Sequence, residues 1–326
     1  MLVDGLVDGK GAGKWQPVQS KDDAGRFIRQ ASRFRHWITA DGSPGPAGEG
    51  GFAAELGRYH LYVALICPWA SRALVVRKLK DLEQLITVSV VEPCLTDQGW
   101  QFGAYPGADL DELNGARYMH EIYTRADPRY TGRATVPVLW DKRRGTIVSN
   151  ESADIVRMLN SAFDALTDST LDLYPDDLRG RIDALNKRMY EKLNNGVYQA
   201  GFATTQAAYE EAYHKVFDML DELEQRLEDG RRFLFGRRLT ESDVRLFVTL
   251  VRFDAAYHGA FKCNRNLIAQ MPALSAYLDR VLAVPGVADT VNIEHIKTGY
   301  YSIKALNPTG IVPAGPALPE RLAQAA

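Results

Sequence analysis

Residues 58–70 read RYHLYVALICPWA, and this stretch decides the fold. Arg58 to Ile66 has the aromatic and β-branched content of a buried strand. Cys67, Pro68 and Trp69 follow, and Ala70 to Leu82 then carries Ala73, Val76, Leu79 and Leu82 at helical spacing. Proline is favoured in a first helical turn, so Cys67 falls at a strand-to-helix turn. At such a place the first-turn amides and the helix dipole stabilise an anion. A free thiol, with a pKa of about 8.5, is only slightly ionised at neutral pH, and a helix N-terminus lowers that value by several units. Cys67 is therefore read as a reactive thiolate, against the alternative of an inert cysteine buried at a strand end.

Downstream, Ile86 to Glu92 reads as a second strand and residues 93–128 as a long loop containing Trp100. Thr135 to Asp141 is a strand whose Pro137 belongs at an edge or entry. Thr146 to Ser149 is a short strand, and Glu151 to Asn160 a helix. This order predicts an α/β thioredoxin-like domain over residues 56–165. Beyond Pro175 the pattern is helical. Tyr209, Tyr213, Val216, Leu220, Leu223 and Leu227 form a continuous apolar stripe, which reads as a core-facing seam. Thr240 and Asp243 have the form of a capping box opening a helix from Val244 to Tyr257, and Pro272 to Leu282 reads as another. An all-α domain is expected over residues 175–295, followed by a tail from Ile296 to Ala326. Upstream, residues 1–55 read as an irregular extension, partly helical over Lys21 to Trp37 and ending in a Gly/Pro/Ser-rich stretch.

Ala70 stands where a Cys-x-x-Cys motif would place its second thiol. A lone thiolate that becomes a mixed disulfide needs a thiol from solution to regenerate it, and glutathione is the abundant candidate. Two further features could hold such a peptide. A cis bond before Pro137 would turn Val136 so that its N–H and C=O can pair with an extended chain. Asn150, Glu151 and Ser152 stand at a helix start, where hydroxyl and amides can hold a carboxylate, although simple capping explains Glu151 and Ser152 equally well.

The whole chain of 326 residues suits two domains. With 25% charged residues and a net charge of −2, it gives no electrostatic reason to expect nucleic acid or an anionic membrane surface. No apolar run approaches the ~20 residues of a membrane span. Three cysteines are too few for a disulfide framework, and the six histidines have no metal-site spacing. A reducing cytoplasm is the expected compartment. Cys94 and Cys263 read as packing residues.

Taken together, Cys67-Pro68-Trp69-Ala70 with Arg72, Trp100, residues 132–141 (GRATVPVLWD), residues 151–155 (ESADI) and a tyrosine-bearing helical region resemble the glutathione transferase superfamily. Within it they resemble the glutathionyl-hydroquinone reductases, the Xi class. The resemblance covers most of the chain and implies the glutathione transferase fold, a homodimer, and glutathione as co-substrate without metal or nicotinamide. It implies that Cys67 forms the disulfide with glutathione. Trp100, Arg133, Thr135 and Val136 would hold the tripeptide, and Glu151 and Ser152 would take its γ-glutamyl end. Tyr198 would contact an aromatic substrate and move a proton, while Tyr257 and Tyr300 would help hold the thiolate. A core or interface aromatic is the alternative for each tyrosine. Ser71 departs from the family, which usually has histidine there. The implied reaction frees a hydroquinone, chlorinated or not, from its glutathione conjugate. The competing readings are an Omega-like thiol transferase or dehydroascorbate reductase, a conventional conjugating transferase, and a non-catalytic binding protein with an unreactive Cys67.

Overall fold

A computed structural model describes residues 5–12, 20–46 and 49–318. These fall into two compact units. One takes residues 31–171 with the hairpin at residues 5–12; the other takes residues 20–30 and 172–318. The N-terminal extension is thus divided between the two.

In the first unit, strands β1 (Gly5–Val7) and β2 (Lys10–Ala12) form a small hairpin. The main sheet comprises β3 (Tyr59–Val63), β4 (Ile86–Val90), β5 (Val138–Asp141) and β6 (Thr146–Ser149), in the order β4-β3-β5-β6. β3 runs parallel to β4 and antiparallel to β5, as the thioredoxin-like expectation requires. Every residue of β3 is buried, the mark of a strand covered on both faces. Helix α1 (Pro68–Leu79) packs with α3 (Ser152–Ser161), and α2 (Met119–Ala126) lies against β6. A buried Lys80 closes α1; its ammonium meets Asp164 at 2.9 Å and the Leu171 carbonyl at 2.5 Å. These contacts compensate the desolvation of a cation that is otherwise expensive to bury.

Two expectations need correction here. The stretch from residue 93 to 128 is not all loop, since α2 occupies its last part. Met119, Ile122 and Tyr123 bury at i, i+3 and i+4, a pattern outweighed in the sequence by the Gly, Asp and aromatic residues before it. Lys21 to Trp37 contains no helix. Asp22 draws the amides of Ala24 and Arg26 onto one carboxylate oxygen at 3.0 and 2.8 Å, and Gly25 adopts φ +82°. That turn redirects the chain. Residues 34–36 then run antiparallel beside β6, with His36 donating to the Val148 carbonyl and Asn150 to that of Phe34. The extension so covers a sheet edge whose backbone groups need partners.

The second unit contains α4 (Arg179–Met189), α5 (Gly196–Gly201), α6 (Gln206–Leu227), α7 (Glu241–Arg252), α8 (Pro272–Leu282) and α9 (Ile293–Ser302). Along α6 the seam buries Val216, Leu220, Leu223 and Leu227, while Tyr209 and Tyr213 stay half-exposed. α7 is buried along its whole length. Its polar start survives burial because Asp243 accepts from the Thr240 and Leu234 amides at 2.9 and 2.8 Å and from the Tyr277 hydroxyl at 2.8 Å. The helix expected to run to Tyr257 is α-helical to Arg252 and continues as a π turn, Phe253–Tyr257. A second π turn, Tyr190–Asn194, precedes α5. Ile296, expected to begin a tail, instead lies inside α9. The end of that tail, from residue 319, lies outside the described residues.

Candidate active site

Cys67 is the N-cap of α1, with extended backbone (φ −79°, ψ 117°) and Pro68 in the first turn. Its carbonyl accepts the Ser71 amide at 3.0 Å, which starts the helix, and its side chain is half-buried. A helix leaves its first amides to other partners, and the dipole adds partial positive charge at the same end. The Cys67 Sγ lies 3.6 Å from the Val136 carbonyl oxygen. The Val136–Pro137 bond is cis. Cys67 and Val136, far apart in sequence, are thus brought together. Arg72, 2% exposed, places its guanidinium 4.5 Å from the Trp69 ring centre, so a cation is built into the same short helix. Ser71, at the position of the family's histidine, is buried.

Glu151 and Ser152 stand at the start of α3. One Glu151 oxygen accepts the Ala153 amide at 3.1 Å, and the other takes the Ser32 hydroxyl at 3.0 Å. The capping role of Glu151 is therefore real, and the extension steadies its second oxygen. Thr135 and Asn150 share Tyr123, a buried residue of α2. The Tyr123 hydroxyl accepts the Thr135 amide at 3.2 Å and the Asn150 side-chain amide at 3.1 Å, and donates to the Thr135 carbonyl at 3.0 Å. Burial, only partly opposed by those donors, pushes its acidity down, with a pKa of about 12. It remains a neutral phenol that clasps the Thr135 segment to the residue before Glu151. Sequence reasoning missed Tyr123 together with its helix. Trp100 and Arg133 are anchored through backbone: the Trp100 carbonyl accepts the Met119 amide at 2.9 Å, and the Arg133 carbonyl the Tyr130 hydroxyl at 3.0 Å.

In the helical unit the three selected tyrosines converge. The Tyr198 and Tyr300 hydroxyl oxygens lie 2.6 Å apart, and those of Tyr257 and Tyr300 3.0 Å apart. Tyr198 comes from α5, Tyr257 from the end of the π turn and Tyr300 from α9. π turns recur at functional sites because one extra residue re-aims the side chains around it. Tyr257 and Tyr300 are buried, whereas Tyr198 is half-exposed. Burial, reinforced by Tyr198 and Tyr257, raises the Tyr300 pKa well above the ordinary tyrosine value. Phe261 stacks on Tyr257 at 5.1 Å, and a Cβ at Gly201 would stand 2.5 Å from the Phe261 ring, so this close approach requires glycine. The second unit thus holds an aromatic wall with a chain of phenols that can pass or hold a proton.

Among the described residues no cluster of three or more His, Cys, Asp or Glu could hold a metal ion, and no helix is long and apolar enough to cross a membrane.

Two family models match: glutathione S-transferase, N-terminal domain, over residues 66–162, and glutathione S-transferase, C-terminal domain, over residues 206–280. The chain is 52% identical over 313 residues to glutathionyl-hydroquinone reductase YqjG of Escherichia coli, covering 95% of this chain and 94% of that protein. It is 50% identical over 317 residues to glutathionyl-hydroquinone reductase PcpF of Sphingobium chlorophenolicum, covering 96% of each. The glutathione-bound structure of the Escherichia coli protein superposes with a TM-score of 0.88 at 50% identity over 96% of each chain. A Xi-class transferase structure from Natrialba magadii also gives 0.88, at 43% identity over 98% of this chain and 95% of the other.

Proposed function

As a member of the glutathione transferase superfamily that falls among its glutathionyl-hydroquinone reductases, the chain is, we propose, an enzyme that uses glutathione to strip the glutathionyl group from aromatic conjugates. The observation that carries this reading is Cys67 at the N-cap of α1, with Ala70 in place of a second thiol and Val136 beside its sulfur.

An aryl thioether does not yield its sulfur to a thiolate, because an aryl carbanion is a very poor leaving group. In the keto form of the hydroquinone, which has lost a hydroxyl proton and gained one on the sulfur-bearing carbon, the leaving group becomes an enolate. Tyr198 supplies the proton to that carbon. The Cys67 thiolate then attacks the glutathione sulfur. A Cys67–glutathione disulfide forms, the ring carbon–sulfur bond breaks, and its electrons leave with the ring, which is protonated to the hydroquinone. A second glutathione thiolate attacks the glutathione sulfur of the mixed disulfide, releasing oxidised glutathione and restoring Cys67. The balance is one conjugate and one glutathione giving one hydroquinone and one oxidised glutathione. Tyr300 and Tyr257 fix the Tyr198 hydroxyl through the hydrogen-bonded chain. The Val136 backbone, Thr135, Trp100 and Arg133 hold the tripeptide, and Ser152 with the start of α3 takes its γ-glutamyl carboxylate.

An Omega-like thiol transferase would use the same cysteine but would give the three tyrosines no chemistry. Sparse cysteines and dependence on glutathione fit a reducing cytoplasm, and the family resemblance supports a homodimer. Turnover of a glutathionyl-hydroquinone with glutathione tests the assignment. Release of hydroquinone and oxidised glutathione in equal amounts supports it, and activity confined to dehydroascorbate or small mixed disulfides refutes it.

A further inference from the structure

The piece of the extension that packs with the helical unit ends on the tyrosine cluster. Its path is fixed along its length. The Arg26 Nε donates to Glu211 at 2.8 Å, the Thr205 hydroxyl donates to the Ala24 carbonyl at 2.8 Å, and the Thr204 amide donates to the Gly25 carbonyl at 3.2 Å. Phe27, 3% exposed, then stacks 5.7 Å from Phe202 and 6.5 Å from Tyr198. Two residues on, the Arg29 guanidinium stands 4.9 Å from the centre of the Tyr198 ring and 5.3 Å from that of Phe27. It is held there by Asn195, whose side-chain oxygen accepts from the Arg29 Nε at 2.9 Å. Asn195 precedes Tyr198 by three residues, so both share one helix face.

We propose that Arg29 is a positioning residue that makes Tyr198 the most acidic hydroxyl of the three tyrosines and so sets it as the proton donor. A cation over an aromatic face is attracted to the ring and gains much more when that ring carries a phenolate. Tyr198 is also the member with access to solvent, whereas burial holds Tyr300 in its neutral form. Loss of the Tyr198 proton leaves an oxygen that the Tyr300 hydroxyl, 2.6 Å away, can satisfy by donation. Among the described residues, the titratable and charged groups seen to face the cluster within this unit include Arg29 from the extension, Tyr257 from the π turn, Tyr300 from α9, and Arg252, whose charge acts on Tyr300. Of these, Arg29 is the one seated over the Tyr198 ring.

The proposal rests on the reading of Tyr198 as the group that moves the proton, and its test separates the two. Full-length protein carrying 3-fluorotyrosine at position 198 is titrated by fluorine NMR with Arg29 intact, with Arg29→Met and with Arg29→Lys. The Tyr198 midpoint should rise by about one unit or more in Arg29→Met and recover part of that shift in Arg29→Lys. The pH profile of kcat should move in the same direction. An unchanged midpoint in Arg29→Met overturns the inference even if Tyr198→Phe is inactive. A shifted midpoint with full activity in Tyr198→Phe leaves the electrostatic inference standing and removes the donor role. Should Arg29→Met fail to fold, Asn195→Ala unties the guanidinium and must raise the midpoint in the same sense; no rise there overturns the inference.

Discussion

Two cysteines of this chain sit in opposite surroundings. Cys67 caps a helix on a strand-to-helix turn, half-buried, with backbone dipoles pointed at it. Cys263, fully buried, has its thiol pushed up to about 12 by desolvation, with Lys262 only partly opposing that. On the proposed reading of Cys67 the same side chain is set for ionisation in one place, while burial sets it against ionisation in the other. Position against backbone dipoles and water decides the chemistry, not residue type. Alkylation is the sharpest way to break this contrast. Near pH 6.5, iodoacetamide should modify Cys67 at least about a thousandfold faster than Cys263 in the folded protein. Comparable rates, read by peptide mass mapping, would erase the distinction.

The second test asks whether reactivity at Cys67 suffices for the reaction. Tyr198→Phe should lower turnover of a glutathionyl-hydroquinone by about 10²- to 10⁴-fold, the usual weight of a general acid. It should leave Cys67 alkylation almost unchanged. Equal losses in both assays would mean that the tyrosine acts through the thiol.

A third prediction contrasts the two units in acid. His60, on the strand leading to Cys67, is buried and its pKa is lowered from 6.5 to about 4, chiefly by desolvation. The native state therefore keeps it neutral while the unfolded chain takes up a proton between those values. Stability present above pH 6.5 is lost as pH falls toward about 4, by about 2 kcal/mol between pH 7 and pH 5. Asp243, in the helical unit, is shifted the other way by burial, so its contribution grows as pH falls. Urea unfolding at the two pH values should show the loss in wild type and a smaller one in His60→Gln. The smallest effect belongs to Cys263→Ala, which should cost about 1 to 2 kcal/mol of stability in the same unfolding assay and leave turnover intact.

Much of this was legible in the chain itself. The Cys67-Pro68 turn, the two short strands within residues 135–149 and the α6 seam all follow from local pattern, because spacing and proline placement act over a few residues. α2 was not, since eight residues of helical pattern are weak beside a loop rich in Gly, Asp and aromatic residues. The extension misled for another reason. Some of its backbone hydrogen bonds go to β6, a partner that no window around Lys21 to Trp37 contains, and others to Asp22, whose local Asx turn competes with the helix expected there. The site divides in the same way. Cys67 could be read from its turn, but Tyr198 and Tyr300 meet across 102 positions, and only family resemblance selected them from 15 tyrosines. Neither the Tyr123 clasp nor Arg29 over Tyr198 leaves a sequence signal, because each is a tertiary contact between elements whose own patterns are ordinary.

The most direct test of the account is the stoichiometry of a single reaction. A glutathionyl-hydroquinone and glutathione are incubated with wild type and with Cys67→Ala, following free hydroquinone and oxidised glutathione together. The account predicts equal amounts of both products from wild type and a rate at least about a thousandfold lower from the variant. Hydroquinone released by Cys67→Ala at the wild-type rate would contradict it.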